Sequence, residues 1–180
     1  GEYSGRGCLK KAGLILNAPL LLITFFKGAI DFMSTNSLKY AGSLEEFDGV
    51  LSIVKQARTL FMQGRNEVTC VSSKQGKCNY VTNMDLSIQS FLCERLGKLY
   101  PSAKFIAEEN NGPSEKFNCR DDFFIIDPID GTTNCLHNYA SCAVCVAYVS
   151  GGETLFGAVY SLADDELFYA AAGCGAYLNG

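Results

Sequence analysis

Beyond Ser43 the apolar positions of the chain follow two periods. Leu44, Phe47, Leu51, Val54, Leu60 and Phe61 lie on one face of a 3.6-residue repeat, which predicts an amphipathic helix over about 44–63. Ser43 and Glu46 give that helix a capping-box start, and Gly64 an end. Glu67 to Val71 alternates as a short strand, and the polar loop after it carries Lys74 and Gly76. A second helix is predicted from Thr82, whose hydroxyl can cap the amide near Asp85. Met84, Ile88, Phe91, Leu92, Leu96 and Leu99 share its apolar face, and Tyr100-Pro101 closes it. Lys104 to Ala107 then reads as a short strand, and Asn110 to Asp122 as a polar loop. Phe123 to Ile126 is an unbroken apolar run, the mark of a buried strand, which Pro128 is expected to stop because it has no N–H to donate. Alternating runs follow at Ala140–Val149, 154–161 and 167–171, with Asp164-Asp165-Glu166 at a solvated hairpin tip.

Two of these strands end in carboxylates, Glu108-Glu109 and Asp127 with Asp130, and parallel strands often carry their working residues at that edge. At a separation of about 5 Å, two carboxylates repel by roughly 3 kcal/mol at an effective dielectric near 20. A cation removes that cost. Gly131 lets backbone approach a ligand, and the amides after it can face an anion. The competing interpretation is an Asp-Pro turn followed by a Thr-capped loop.

Composition narrows the setting. A chain of 180 residues, 48% hydrophobic, is long enough for one domain with a sizeable core. A net charge of −4 leaves no basic surplus to neutralise phosphates, so nucleic acid is not expected as a main partner. Nine cysteines, an odd number at irregular spacing, point to a reducing compartment and hence a cytoplasmic location. The one C-x-x-C, Cys142–Cys145, lies in a strand where positions three apart face opposite ways, so it is assigned to the core and not to a metal. The first 40 residues lack the periodicity of the rest. Lys10-Lys11 precede a mostly apolar run, Ala12 to Phe26, which is shorter than the roughly 20 residues of a membrane span and is followed by no clean cleavage site. Residues 1–40 are therefore expected to be a poorly ordered leader ahead of a start at Met33, without a membrane segment. A signal or anchor over residues 10–30 stays open, and 41–180 form the domain.

Three stretches together resemble the N-terminal motifs of the inositol monophosphatase family, the magnesium-dependent, lithium-sensitive sugar phosphatases. They are Val81-Thr82-x-x-Asp85, Ala107-Glu108-Glu109, and Ile126-Asp127-Pro128-Ile129-Asp130-Gly131-Thr132-Thr133-Asn134. The likeness continues through His137, Phe156–Tyr160 and Gly173-x-Gly175-Ala176-x-x-Asn179-Gly180. It implies an α+β fold, a layered helix and antiparallel-sheet sandwich, with two or three Mg2+ ions in the complete site. It also implies a small phosphorylated substrate, inositol monophosphate before others, and a homodimer for the full-length form. By the same resemblance Glu108 holds the first ion and helps orient the attacking water, and Asp127 bridges two ions. The Ile129 carbonyl ligates the first ion, and Asp130 ligates the second and contacts substrate. Gly131 and Thr132 present amides to the phosphate, and the Thr132 hydroxyl holds the nucleophilic water. Lys74 matches a mobile-loop lysine, while Asp85, Glu109 and Thr133 stand behind the ligands. Plainer roles remain for some of them: Asp85 as the capping partner of Thr82, Lys74 as a solvated loop residue, Glu109 facing solvent, and His137 hydrogen-bonded near the surface.

The chain also departs from the family pattern. Ala107 replaces a usual Gly, which requires ordinary backbone angles there, and Cys135 replaces an aromatic. Family members run longer and carry a Trp-Asp motif that completes the second metal site, whereas this sequence has no tryptophan and reaches Asn179-Gly180, a hairpin signal. The expectation is the N-terminal part of such a phosphatase, with an unpaired sheet edge and little activity as it stands. The alternatives are a sugar bisphosphate, nucleotide 3′-phosphate, NADP or histidinol phosphate phosphatase, or a non-catalytic metal-binding or interaction module.

Overall fold

The computed structural model describes residues 43–73, 80–109, 120–137, 139 and 141–180. The leader, the loop with Lys74 and Gly76, and most of the 110–122 loop lie outside them. Two long helices, α1 (Asp48–Gly64) and α2 (Asn83–Leu99), pack against each other and against one face of a sheet. That sheet has six strands in the order β3 (Lys104–Ala107), β4 (Phe123–Asp130), β5 (Ala143–Ser150), β6 (Glu153–Ser161), β7 (Glu166–Ala171) and β8 (Gly175–Leu178). Every neighbouring pair is antiparallel except β3–β4, which is parallel. A separate antiparallel pair, β1 (Cys70–Ser73) and β2 (Tyr80–Thr82), precedes α2.

The two apolar stripes meet the sheet as their periods require. Val50, Val54 and Ala57 of α1, with Ile88, Leu92 and Leu96 of α2, are buried against Phe124, Ile126, Val146, Phe156 and Ala158. Phe47 stacks on Phe156 with ring centroids 4.6 Å apart. Leu99, assigned to the stripe, is instead 48% exposed at the helix end. Phe123, Ile125, Ala147 and Val149 form a second buried cluster.

The first helix begins differently from its pattern. Leu44–Phe47 is a 3-10 turn, and Ser43 makes no side-chain cap. The Glu46 amide donates to the Ser43 carbonyl at 3.3 Å, so the N–H that a capping box would use is already taken. Gly64 is the last residue of α1, and the chain continues through a second 3-10 turn, Arg65–Glu67, which delays the strand predicted from Glu67 to Cys70. At α2 the capping box does form: Thr82 Oγ1 accepts the Asp85 amide at 3.3 Å and Asp85 Oδ2 accepts the Thr82 amide at 2.9 Å. Thr82→Ala should therefore lower stability by about 1–2 kcal/mol, while Ser43→Ala should stay within about 0.5 kcal/mol, as read by denaturant unfolding.

Pro128 does not end β4. The strand runs on to Asp130, and its register slips between Asp127↔Cys145 and Asp130↔Ala143, leaving one extra residue on β4. Pro128 sits in that bulge, where no ladder N–H is required. The β6–β7 turn carries Asp164 and Asp165 at the surface, as the tip pattern predicts. There Asp165 accepts from the Tyr160 hydroxyl and pairs with Arg58 at 3.4 Å. Leu178 of β8 is 48% exposed on the edge strand of the described sheet, and Asn179 turns the chain at φ 59°.

Candidate functional site

The parallel pairing of β3 with β4 points both C-terminal ends the same way, and this brings the carboxylates together. The Glu108 amide donates to the Ile126 carbonyl at 3.1 Å, so Glu108 leaves its strand beside Asp127. The bulge then turns Asp130 back toward the same place. Asp127 is 3% exposed, and its Oδ1 has no hydrogen-bond partner. Its carboxyl is pushed up to about 9, first by burial and then by the neighbouring Glu108 carboxylate, with Asp130 and Asp85 adding to the effect. Burial and Glu108 also raise Asp130, which is half-buried. Glu108 itself is exposed at the rim. Among the described residues no three His, Cys, Asp or Glu side chains stand together closely enough to hold a metal ion by themselves.

Behind this group stands Asp85, 1% exposed, with its carboxyl raised by burial and drawn back by donors from Thr82 and Thr132. It caps α2 together with Thr82 and also accepts from Thr132. One oxygen takes the Thr82 amide and hydroxyl, and the other lies 3.1 Å from Thr132 Oγ1. Thr132 Oγ1 is also 3.0 Å from the Ile129 carbonyl, and its single proton serves one acceptor at a time. The Ile129 side chain is buried in the core, so only its backbone can act in the site. Gly131 caps the short helix α3 (Thr132–Leu136) at φ 91°, and a Cβ there would lie 2.6 Å from the Ser141 carbonyl oxygen. Asn134 Nδ2 donates to that same oxygen at 2.7 Å, strapping α3 to the start of β5. The Thr133 carbonyl accepts the His137 amide at 3.2 Å, and the His137 side chain is exposed.

Glu109 does not face solvent. It is buried, and its amide donates to Gln89 Oε1 at 2.9 Å. Gln89 was not singled out from the sequence, although its place four residues after Asp85 puts both on one face of α2. Lys74 lies outside the described residues. Cys142 and Cys145 are buried free thiols, each raised mainly by burial, as a core assignment requires. Ala107 has no positive φ, since among the described residues the non-glycine ones that do are Asp165 and Asn179.

The inositol monophosphatase family model matches residues 43–180. The tomato (Solanum lycopersicum) protein named inositol monophosphatase 1 is 38% identical over 141 residues, 77% of this chain and 51% of that protein. The structure of the Thermotoga maritima IMPase superposes with a TM-score of 0.68 at 34% identity, over 76% of this chain and 52% of the other. A structure described as an IMPase/NADP phosphatase complexed with Mg2+ and phosphate gives 0.65 at 30% identity, over 73% and 49%. The chain thus spans about half the length of the relatives it matches.

Proposed function

The chain belongs to the inositol monophosphatase family, and from that premise we propose that it forms part of a magnesium-dependent phosphate monoester hydrolase acting on inositol monophosphate. The observation that carries this reading is Asp127, a carboxyl buried among carboxyls with one oxygen unpartnered. A divalent cation meets that need directly. Hard oxygen donors of this kind suit magnesium. Glu108, Asp127, Asp130 and the Ile129 carbonyl would hold it, in a site of two or three ions. When bound, magnesium supplies charge neutralisation and a water of lowered pKa.

The remaining work falls to the chain's own groups. With its proton given to Asp85, the Thr132 oxygen presents lone pairs that orient an incoming water. Glu108 at the exposed rim accepts that water's other hydrogen. Gly131 and Thr132 offer their amides to the phosphate, and Asp130 contacts the substrate. Phosphate monoester hydrolysis is among the slowest uncatalysed reactions, so alignment and charge neutralisation must both contribute. Among the described residues no helix is long and apolar enough to cross a membrane. A cytoplasmic location and a homodimeric full-length form complete the proposal.

The test is phosphate release from inositol monophosphate, NADP and fructose 1,6-bisphosphate, with and without magnesium. It uses the 180-residue chain and a form extended to the length of the relatives. The extended form is expected to prefer inositol monophosphate and to need magnesium. The 180-residue chain is expected to bind magnesium more weakly and to turn over negligibly. A preference for NADP would move the chain to a sister activity, and magnesium binding without hydrolysis in the extended form would make it a non-catalytic module.

A further inference from the structure

We propose that Gln89 is a positioning residue for Glu108: its side-chain carbonyl holds the peptide that follows Glu108 and so fixes where that carboxylate stands. The inference rests on the metal-site reading above. Glu108 lies just past the end of β3, exposed, where regular pairing no longer sets the direction of a side chain. Two amides bracket its Cα. The Glu108 N–H donates to the Ile126 carbonyl at 3.1 Å, extending the β3–β4 ladder by one residue. The next N–H, of Glu109, has left the ladder and donates to Gln89 Oε1 at 2.9 Å.

Both Gln89 and Glu109 are 8% exposed, so water competes little for that N–H. A backbone N–H can only donate, and so the oxygen of the Gln89 amide is the atom that faces it. Peptide units are planar, so anchoring the planes on both sides of Glu108 leaves its φ and ψ little freedom. Gln89 stands one turn after Asp85 on α2, and the two project from the same helix face. Asp85 reaches Thr132, and Gln89 reaches the turn that carries Glu108. One face of one helix thereby sets the spacing between the two sides of the site.

The test uses the 180-residue chain with magnesium alone as the probe, titrated calorimetrically, and the metal-free unfolding midpoint measured alongside. Gln89→Met keeps the volume and loses the acceptor, Gln89→Asn shortens the reach by one methylene, and Gln89→Glu keeps the acceptor. Met and Asn are expected to weaken magnesium binding by about tenfold or more, the usual effect of losing a group that orients a ligand, while Glu restores it. Exchange of the Glu109 amide with solvent should quicken in Met and Asn and stay slow in Glu. Should Gln89→Met fail to fold, Gln89→Asn gives the same reading. Magnesium bound equally well by the wild type and the folded Met or Asn variant overturns the proposal, even if their unfolding midpoints drop. Loss of binding in Gln89→Glu as large as in Met also overturns it. A wild-type chain that binds no magnesium overturns the metal-site reading itself, and this inference with it.

Discussion

Asp127→Asn is expected to abolish magnesium-dependent hydrolysis in the extended enzyme while making the metal-free protein more stable. The two effects have one cause. The Asp127 carboxyl is buried, carries an unpartnered oxygen and lies beside Glu108. Its folded value of about 9 stands far above the ~3.9 of an unfolded aspartate. Between those values the folded chain holds a proton that the unfolded chain has released. Stability of the metal-free wild type therefore falls as pH rises from about 4 to about 9. Asparagine takes up no proton on folding, so at pH 7 it should be more stable by about 1–3 kcal/mol, the order of the linkage the wild type loses between those values. Saturating magnesium should reverse the order, since a ligand at a hundred times its Kd adds about 2.7 kcal/mol to the form that binds it. Loss of a ligand that carries several kcal/mol of charge stabilisation corresponds to at least a ~1,000-fold fall in rate. Denaturant unfolding at pH 5, 7 and 9 with and without magnesium checks the first half, and phosphate release the second. Parallel pH curves for the two proteins would mean that Asp127 is not the strained group.

That a buried strand would end in carboxylates at Asp127 and Asp130 was legible in the sequence because the pattern is local. An apolar run ending in a carboxylate forces burial, and β3, found at the predicted bounds Lys104–Ala107, delivers Glu108 by simple parallel pairing. The capping box at Thr82 and Asp85 was legible for the same reason, since its spacing is set within one helical turn. What the sequence did not carry is the choice between equivalent local options. Ser43-x-x-Glu46 has the same capping pattern as Thr82-x-x-Asp85, yet the first chose a 3-10 bond and the second a cap. Pro128 could end a strand or sit in a bulge, and the β5 partner, far along the chain, decided for the bulge. Gln89 and Glu109 meet across twenty residues, and neither type announces a partner on its own. Glu109 was therefore open to a place behind the ligands or one facing solvent, and the structure buries it.

Gly131→Ala is the substitution expected to damage fold and site together. Two separate costs act there. The backbone lies at φ 91°, where an L side chain is strained by about 1–3 kcal/mol. The new Cβ would also lie 2.6 Å from the Ser141 carbonyl oxygen and 3.5 Å from Cys142 Cα, both backbone atoms held by the start of β5. Relieving such a contact costs about another 1–3 kcal/mol, because the strand and not a side-chain tip must move. Gly151→Ala separates the two terms. It has φ 59° and nothing within 4 Å of its Cβ, so it bears backbone strain alone. Alanine at 131 should therefore lower the unfolding free energy by about 2–6 kcal/mol, and alanine at 151 by about 1 kcal/mol. Displacing β5 from α3 also strains the Asn134–Ser141 bond and shifts Thr132 from Asp85, so magnesium affinity should fall in the first variant and hold in the second. Equal losses of stability would show that crowding against Ser141 contributes nothing. Unchanged magnesium binding in Gly131→Ala would uncouple the strap from the site.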